Sequence, residues 1–524
     1  MARNNKNTDT QKLLEEKQRD SALFEEKNIG DTLSASYANL VIKVSTEPDD
    51  ASYNSLVDIL THSKDFVGFK SVHGNEEGAK RFIDNYIGAG IIPKIQKEYP
   101  DVTDISWNGR FLTVATNNRK FVYARLGVPS DGQEGVTKPD GSPLEILSDD
   151  DIFKLVNRFA NRLGKRFDDK NPKFDGFVDN FRISANDKSL TPEGYGYTMT
   201  LRISRASKAL NRENFNNFAP ISVLNLLNEI VKAHNNIIIS GETGTGKTEL
   251  LKLLLEPVPF RDKIIMIEDV AETHLAEIYP EKDIFDWLTS MTEKYDGSGE
   301  ISGISIETHV KSALRNQPNW LLVSETRGGE AADMFDSVLS GHNIITTLHA
   351  ISNDAVPDRF VGMVVQSESG KNRPMEDLKN SFYRYMGFGI HIRRKFFPDG
   401  KLLRYMQELV HFSFESLHDP NYLGVNPIFR QYIEQREDGV YRIFQRWPLE
   451  ESVSQQIRLA NNLTRKQLHK IWTLTAKTEI NEKTGKPVLM FNPVLDANGN
   501  PELDINGEPK KNYIITSVAE KLEI

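Results

Sequence analysis

The chain has 524 residues, of which 38% are hydrophobic and 27% are charged, with a mean hydropathy of −0.47. This composition is typical of a globular protein in water with about three domains. The sequence contains no run of about 18 apolar residues, so no membrane span is predicted. The net charge of −9 excludes a uniformly basic surface, which disfavours a protein that acts mainly on nucleic acid. Because there are no cysteines, disulfides, thiolate catalysis and cysteine-ligated zinc are excluded.

The first part of the chain divides into four predicted segments. Residues 1–35 are rich in Asn, Lys, Glu and Gln, and we expect a charged lead-in that is partly helical or disordered, with a partner-binding tail as the alternative. Its polarity also predicts no secretory signal. Residues 40–44 have the composition of a strand, and residues 101–109 alternate and end in an Asn-Gly turn, which predicts a β-hairpin. Residues 129–147 are rich in Gly and Pro and predict a linker.

A second sub-part follows this linker. A helix is predicted to begin at Ser148, because three aspartates follow it and apolar residues then recur at helical spacing. Residues 175–184 and 197–204 alternate as antiparallel strands do. We therefore expect residues 36–215 to form an N-terminal α+β domain of two sub-parts.

Residues 235–255 contain the most specific motif of the chain. A short apolar strand leads into Gly241–Thr248, which fits the pattern G-x-x-x-x-G-K-[ST], and leucines after it supply the apolar face of a helix. Such glycines let backbone N–H groups converge on phosphate oxygens, and the helix N-terminus adds its dipole. Lys247 is predicted to reach the β- and γ-phosphates of ATP, and the Thr248 hydroxyl to bind Mg²⁺. The predicted nucleotide-binding residues are Gly241, Glu242, Thr243, Gly244, Thr245, Gly246, Lys247 and Thr248. A glycine-rich turn without a ligand is the alternative, which the flanking strand and helix disfavour.

Three further apolar strands follow, and each ends in a group that can act on a phosphate. The first ends in Glu268, a carboxylate that can orient and deprotonate water, and the second ends in Glu325, a carboxylate that can position Mg²⁺. The third is followed by His349, which can hydrogen-bond to a γ-phosphate and report its loss. Taken singly, the carboxylates are equally well explained as caps and the histidine as a core residue. Their order, at strand ends where an open α/β sheet binds its ligand, favours a catalytic site.

The alternation of strands and helices over residues 216–445 predicts a doubly wound, mostly parallel α/β sheet. Residues 394–410 are typical of a terminal hairpin of that sheet, with its turn at residues 398–400. Residues 446–524 predict a C-terminal extension, helical over 448–477 and followed by a small β-meander.

Taken in order, the motifs resemble those of the secretion, or traffic, ATPase superfamily, which serves type II and type IV secretion, pilus and conjugation systems. The phosphate loop, the acidic segment at Glu268, the strand that ends at Glu325 and the histidine segment 342–349 occur in the order of that family. Residues 324–331 resemble the family pattern G-E-x-R-x-x-E-A, with Ser324 where glycine is usual.

The resemblance covers residues 75–440 and implies a RecA-like P-loop NTPase core in residues 216–445. It also implies a hexameric ring in which nucleotide lies between the N-terminal and RecA-like domains of one subunit, near the next subunit. The candidates that it implies for clamping the phosphates are Arg182, Arg202 and Arg205. The absence of cysteine disfavours the branch with a tetracysteine zinc module and favours the branch of type IV secretion, conjugation and tight-adherence pili.

The leading hypothesis is a motor that hydrolyses ATP with Mg²⁺ to power a secretion, conjugation or pilus-assembly machine. Thr248 is expected to bind Mg²⁺ directly and Glu325 to support it through water. Glu268 is the expected general base, with Glu325 second. Arg327 and His349 are expected to sense nucleotide or to couple hydrolysis to motion.

The expected partners are further copies of the chain, as a hexamer, and inner-membrane components of the machine. The expected location is cytoplasmic, at the inner face of the cell membrane. A nucleic-acid translocase or helicase on the same core is the main alternative, although the acidic charge predicts no stable nucleic-acid binding. A GTPase is disfavoured because the base-reading pattern occurs only at residues 137–140, upstream of the phosphate loop. A nucleotide-dependent scaffold without catalysis is a further alternative.

Overall fold

The structure, a computed structural model, describes most of the chain. The described stretches are residues 50–83, 91–127, 136–178, 180–293, 301–413, 424–437, 439–447 and 449–472, with individual positions between 25 and 44 and short pieces at 491–493, 511–513 and 516–522. The chain divides into two compact units, Met1–Ser204 and Arg205–Ile524. None of the helices in the described stretches has the length and apolarity needed to cross a membrane. Most of the predicted lead-in lies outside the described residues.

The first unit contains a small cluster of helices with its own core. Two helices of this cluster are α1 (Asp50–His62) and α2 (Glu76–Phe82). The next helix, α3 (Ile92–Glu98), instead contributes Ile92 and Ile95 to the core of the sheet described below. Leu56, Leu60 and Phe66 are fully buried in this cluster. The strand predicted at residues 40–44 is wrong, because the positions described there are helical. Val44 is buried in the same cluster, so the apolar side chains of this segment serve helix packing.

Seven strands of the first unit form one sheet in the order β4-β3-β2-β1-β7-β6-β5. These strands are β1 (Val102–Trp107), β2 (Phe111–Thr116), β3 (Lys120–Leu126), β4 (Glu145–Leu147), β5 (Lys173–Val178), β6 (Phe181–Asn186) and β7 (Thr198–Ile203). All neighbours are antiparallel except β3 and β4. The predicted hairpin is confirmed, since β1 and β2 pair across the Asn108-Gly109 turn.

A helix packs on this sheet. Helix α4 (Asp149–Arg162) begins where the sequence predicts, with Ser148 as its N-cap. The Ser148 hydroxyl accepts a hydrogen bond from the Asp151 N–H, and the Asp151 carboxylate accepts one from the Ser148 N–H. Such a reciprocal pair satisfies two N–H groups that the helix leaves free. The apolar face of α4, with Leu155 and Phe159, is buried against the strands.

The second unit is built on a ten-stranded sheet in the order β10-β9-β13-β14-β8-β15-β16-β17-β18-β21. Its strands are β8 (Ile237–Gly241), β9 (Ile264–Glu268), β10 (Ile284–Leu288), β13 (Trp320–Val323), β14 (Asn343–Leu348), β15 (Phe388–Phe396), β16 (Leu402–Phe412), β17 (Val425–Arg436), β18 (Gly439–Arg446) and β21 (Thr516–Lys521). The six strands from β10 to β15 are parallel, and those from β15 to β21 are antiparallel. Two separate pairs complete the described strands: β11 (Ser290–Glu293) with β12 (Ile301–Ile304), and β19 (Phe491–Pro493) with β20 (Lys511–Tyr513).

Helices cover both faces of this sheet. They are α5 (Ile221–Lys232), α6 (Lys247–Leu254), α7 (Leu275–Ile278), α8 (Ile306–Ala313), α9 (Glu330–Leu339), α10 (Val356–Gln366), α11 (Met375–Tyr385), α12 (Glu451–Ala460) and α13 (Arg465–Ile471). Residues of α5, α6, α12 and α13 share one core with the sheet, and residues of α8 to α11 share the other. Burial on both faces explains why the central strands are almost uniformly apolar.

The predicted hairpin near the end of the nucleotide-binding sheet forms, but it is not terminal. Strands β15 and β16 pair antiparallel, and β17, β18 and β21 then extend the same sheet. The predicted helical stretch of the C-terminal extension corresponds to α12 and α13, which pack on α5. Most of the predicted β-meander lies outside the described residues.

Candidate functional site

The phosphate loop connects a buried strand to a helix, as the motif requires. All five residues of β8 are buried, and α6 begins at Lys247 with Gly246 as its N-cap. Gly246 has φ +96° and Gly241 has φ +154°, values that favour glycine. A Cβ on Gly241 would lie 2.5 Å from the Ile392 carbonyl oxygen, so a side chain would clash with strand β15. The loop therefore needs glycine for conformation and for close packing.

The Lys247 ammonium lies inside the loop and is buried. Its Nζ donates hydrogen bonds of 3.0 Å to the carbonyl oxygens of Gly241 and Glu242 and lies 3.4 Å from His349 Nδ1. Both carbonyl partners are neutral groups. The ammonium is thus held at the N-terminus of α6, where both the charge and the helix dipole attract an anion.

His349 joins Lys247 to Glu325. Nε2 of His349 lies 2.9 Å from Glu325 Oε1. A single neutral tautomer satisfies both contacts, because Nδ1 then accepts from the ammonium and Nε2–H donates to the carboxylate. Burial, together with the charge of Lys247, holds the pKa of His349 below its usual value, which favours this neutral form.

Two charged groups continue the chain of contacts beyond Glu325. Arg327 Nη2 lies 2.7 Å from Glu325 Oε2, and Nη1 lies 3.5 Å from Asp269 Oδ2. Burial opposes ionisation of Glu325, but the Arg327 hydrogen bond and charge outweigh it and keep its pKa below the ordinary value. Glu325 is therefore an anion at neutral pH. Lys247, His349, Glu325, Arg327 and Asp269 form a continuous cluster at the carboxyl ends of the parallel strands.

Glu268 lies at the end of β9 but makes different contacts. It is almost fully buried, and it accepts hydrogen bonds from the Thr273 hydroxyl at 3.0 Å, the Thr273 N–H at 3.2 Å and the Glu272 N–H at 3.3 Å. Burial raises its pKa to about 7, against the hydrogen bonds. These bonds anchor the loop after β9, whereas the next residue, Asp269, faces Arg327.

The remaining predicted residues lie in several places. Thr248 is half-buried in the first turn of α6, next to Lys247. In the first unit, Arg182 on β6 is directly opposite Arg202 on β7, and Arg202 Nε lies 3.3 Å from Asp104 Oδ1. Arg205 belongs to the second unit, where its carbonyl oxygen accepts from Lys252 of α6 at 3.3 Å.

Two other motif segments lie away from the cluster. His342 precedes β14, at the opposite end of that strand from His349, and contacts Ser337 and Ser340. The GTPase-like letters at residues 137–140 form a turn of the first unit in which Lys138 is buried and paired with Glu145.

A buried polar network behind the phosphate loop was missed by sequence reasoning. Ser240, the residue before the loop, lies 2.8 Å from His391 Nδ1 and donates to Asn353 Oδ1 at 3.3 Å. Asn353 in turn donates to Glu408, which pairs with Arg430. The sequence signal for this network is the presence of polar residues within apolar strands. Its members lie up to 190 positions apart, from residue 240 to residue 430, so their contacts could not be predicted from local sequence.

The site fits a nucleoside triphosphate with Mg²⁺. The glycine-dependent loop, the buried ammonium and the start of α6 supply donors for phosphate oxygens. No cluster of three or more His, Cys, Asp or Glu side chains able to hold a metal occurs in the described part of the chain. The P-loop motif predicts that the Thr248 hydroxyl and phosphate oxygens would hold Mg²⁺, and the role of Glu325 through water stays a prediction.

Comparison with known proteins gives consistent matches. The model of the family described as "Type II/IV secretion system protein" matches residues 180–383. An uncharacterized protein of Bacillus anthracis is 37% identical over 341 residues, which cover 64% of this chain and 70% of that protein. The type IV secretion system protein VirB11 of Brucella suis is 32% identical over 170 residues, which cover 32% of this chain and 45% of VirB11. The chain thus spans less than half of the length of that VirB11 relative.

Matches to solved structures are weaker. The VirB11 ATPase of Brucella suis, solved in complex with sulphate, is 22% identical with a TM-score of 0.31, covering 64% of this chain and 94% of that one. The ATPase DotB of Legionella pneumophila is 17% identical with a TM-score of 0.37, covering 60% of this chain and 78% of that one. From the family match over residues 180–383, the sequence relatives and the phosphate-loop motif, the chain belongs to the type II/IV secretion system protein family.

Proposed function

We propose that the protein is an ATP hydrolase that powers a type IV secretion machine. The observation that carries this proposal is the contact chain from Lys247 through His349 to Glu325, which joins the phosphate loop to the ends of two other strands. Such a cluster can bind a γ-phosphate, position water beside it and respond to its loss. The relatives named VirB11 of type IV secretion systems support the choice of machine.

Each residue of the cluster has a distinct role in this proposal. Loop amides and Lys247 bind the β- and γ-phosphates, and the Lys247 charge offsets the negative charge of the transferring phosphoryl. Thr248 holds Mg²⁺, which neutralises charge on the phosphate oxygens when bound. His349 holds Glu325 in place relative to Lys247, and Arg327 keeps Glu325 ionised.

The contacts favour Glu325 over Glu268 as the carboxylate that orients the attacking water. Glu325 contacts His349, which in turn contacts the Lys247 ammonium. The described hydrogen bonds that Glu268 accepts all come from residues 272–273. The raised pKa of Glu268 nevertheless suits a general base, so its predicted role stands as a prediction.

The wider assembly also belongs to the proposal. A hexameric ring, with Arg182, Arg202 and Arg205 as phosphate clamps, would let nucleotide state control the position of the N-terminal unit. Membrane components of the machine are the expected partners, and the inner face of the cell membrane is the expected location. A six-fold particle in electron micrographs of the purified protein with ATP would support the ring, and a stable monomer under all nucleotide conditions would contradict it.

Phosphate release from ATP by the purified full chain tests the central proposal. We expect the wild type to hydrolyse ATP in the presence of Mg²⁺. We expect the K247A variant to lose this activity, because it lacks the ammonium group that binds the phosphates. K371A is a matched control, since Lys371 is an exposed lysine of the same unit that pairs with Glu368. Hydrolysis by K247A at the wild-type rate, with unchanged circular dichroism, would refute the proposal, as would turnover that requires DNA.

A further inference from the structure

Strand β15 extends past the phosphate loop. It pairs in parallel with β8, and the last pair is Ile392 with Gly241, where β8 ends. Strand β15 continues to Phe396, so its last residues run alongside the loop. Ile392 is part of the core that contains α6, and side chains two residues apart on a strand share a face. Arg394 therefore lies on the same face of the sheet as the helix that begins in the loop.

Arg404 reaches the loop from the neighbouring strand. It is directly opposite Arg394 in the antiparallel pair of β15 and β16. Its Nε donates a 2.8 Å hydrogen bond to the Gly244 carbonyl oxygen. A carbonyl fixed in this way also fixes the plane of the peptide between Gly244 and Thr245, whose N–H belongs to the loop. Arg404 is thus placed to position the loop.

Arg394 lies beside the same glycine but makes a different contact. A Cβ on Gly244 would be 2.9 Å from Arg394 Nη1, so the guanidinium lies against the loop. The guanidinium carbon also lies 5.3 Å from the centre of the Phe396 ring. Among the residues that the structure describes, no carboxylate pairs with Arg394. Its side chain is exposed, so a ligand can reach it.

The direct opposition of two arginines has an energetic cost. Like charges at directly opposed positions of an antiparallel pair destabilise the sheet. Lys247 adds a third positive charge within the same loop. A polyanion bound in the loop would be attracted by all three cations.

We propose that Arg394 binds a phosphate group of the nucleotide, and that Arg404 positions the loop by holding the Gly244 carbonyl. The proposal rests on the proposed function, because the ligand is the nucleoside triphosphate of the same site. It adds a second group of cations, on the β15–β16 hairpin beside Gly244, to the one formed by Lys247 at the start of α6. The hairpin thereby becomes part of the binding site in addition to a structural extension of the sheet.

Equilibrium binding to the full-length chain tests the role of Arg394. ATP and inorganic tripolyphosphate are the probes, since the second has the phosphates without base or sugar. R394A is expected to weaken both by the same factor, about tenfold or more, as for loss of a charge-assisted hydrogen bond. R394K, which retains the charge, is expected to recover part of this loss. K401A is the control, because Lys401 lies at the hairpin turn beside Asp399.

Hydrogen exchange tests the separate role of Arg404. R404A is expected to speed exchange of the Thr245 amide in the nucleotide-free protein, whereas R394A leaves it unchanged. Unchanged tripolyphosphate affinity in R394A would overturn the inference for Arg394, and unchanged exchange in R404A would overturn that for Arg404. Failure of the wild-type chain to bind ATP, or undiminished binding by K247A, would instead overturn the proposed function.

Discussion

The imidazole of His349 lies between the carboxylate of Glu325, 2.9 Å from Nε2, and the ammonium of Lys247, 3.4 Å from Nδ1. With its proton on Nε2, the neutral ring donates to Glu325 and can accept from Lys247 through Nδ1. A protonated ring would place a second cation against Lys247. Burial and the charge of Lys247 both disfavour this protonated form, and the pKa of His349 is therefore lowered.

Replacing His349 is expected to slow hydrolysis more than it weakens binding. In H349A, Glu325 loses the donor that holds it in place relative to the phosphate loop, while the loop and Lys247 remain. We expect kcat to fall by about tenfold or more, with a smaller change in ATP affinity. Steady-state phosphate release and equilibrium ATP binding measure the two quantities. Equal losses in both would show that His349 contributes to binding in general instead.

The two carboxylates can be separated by E325Q and E268Q. If Glu325 orients the attacking water, E325Q lowers kcat by about 10²–10⁴-fold and leaves ATP bound. E268Q keeps the shape of the side chain and most of its hydrogen bonds, so we expect a smaller loss. Single-turnover hydrolysis measures the chemical step directly. A larger effect of E268Q than of E325Q would return the role of base to Glu268.

Glu268 is also expected to make stability depend on pH. Burial raises its pKa from 4.5 to about 7, so the folded protein retains a proton that the unfolded chain has lost between these values. The stabilisation that comes from this retained proton is therefore complete below pH 4.5. It decreases as pH rises towards about 7, and it is absent above that value.

Comparison with E268Q isolates this contribution. The wild type is expected to lose up to about 3 kcal/mol relative to E268Q between the two pKa values. Melting temperatures of both proteins at pH 5, 6, 7 and 8 measure it; the pH values are chosen to bracket the value of about 7. A difference between the two proteins that does not change with pH would show that Glu268 titrates at its ordinary pKa.

The buried Glu408 and its partner, the half-buried Arg430, support the strand that leads into the phosphate loop. Arg430 Nε donates to Glu408 Oε1 at 2.7 Å, and Asn353 connects Glu408 to Ser240. R430A would leave a buried carboxylate without its cation, at an expected cost of about 3 kcal/mol or more. The double variant R430M/E408M should recover most of it. Thermal melting compares the three proteins, and a single variant as stable as the wild type would contradict the expected cost.

Some features of this protein were determined by short stretches of sequence. The phosphate loop depends on glycines at fixed spacing between an apolar strand and a leucine-rich helix, all within about twenty residues. The start of α4 at Ser148 and the turn at Asn108-Gly109 are equally local. In each case the conformation follows from backbone freedom or from a cap within the motif, so neighbouring residues suffice. Residues 40–44 show the limit, because their apolar letters fit a strand or a helix until their packing partners are known.

Only the tertiary structure decided which of these pieces meet. Strand β14 lies between β8 and β13, and this order brings His349 between Lys247 and Glu325. The extension of β15 beyond Gly241 places Arg394 against the loop, although the two are far apart in sequence. Strand order and overhang result from packing both faces of one sheet against helices, and no local pattern of residues encodes that balance. Consecutive residues thus determine the phosphate-binding chemistry of the loop, whereas the tertiary fold determines which side chains contact it.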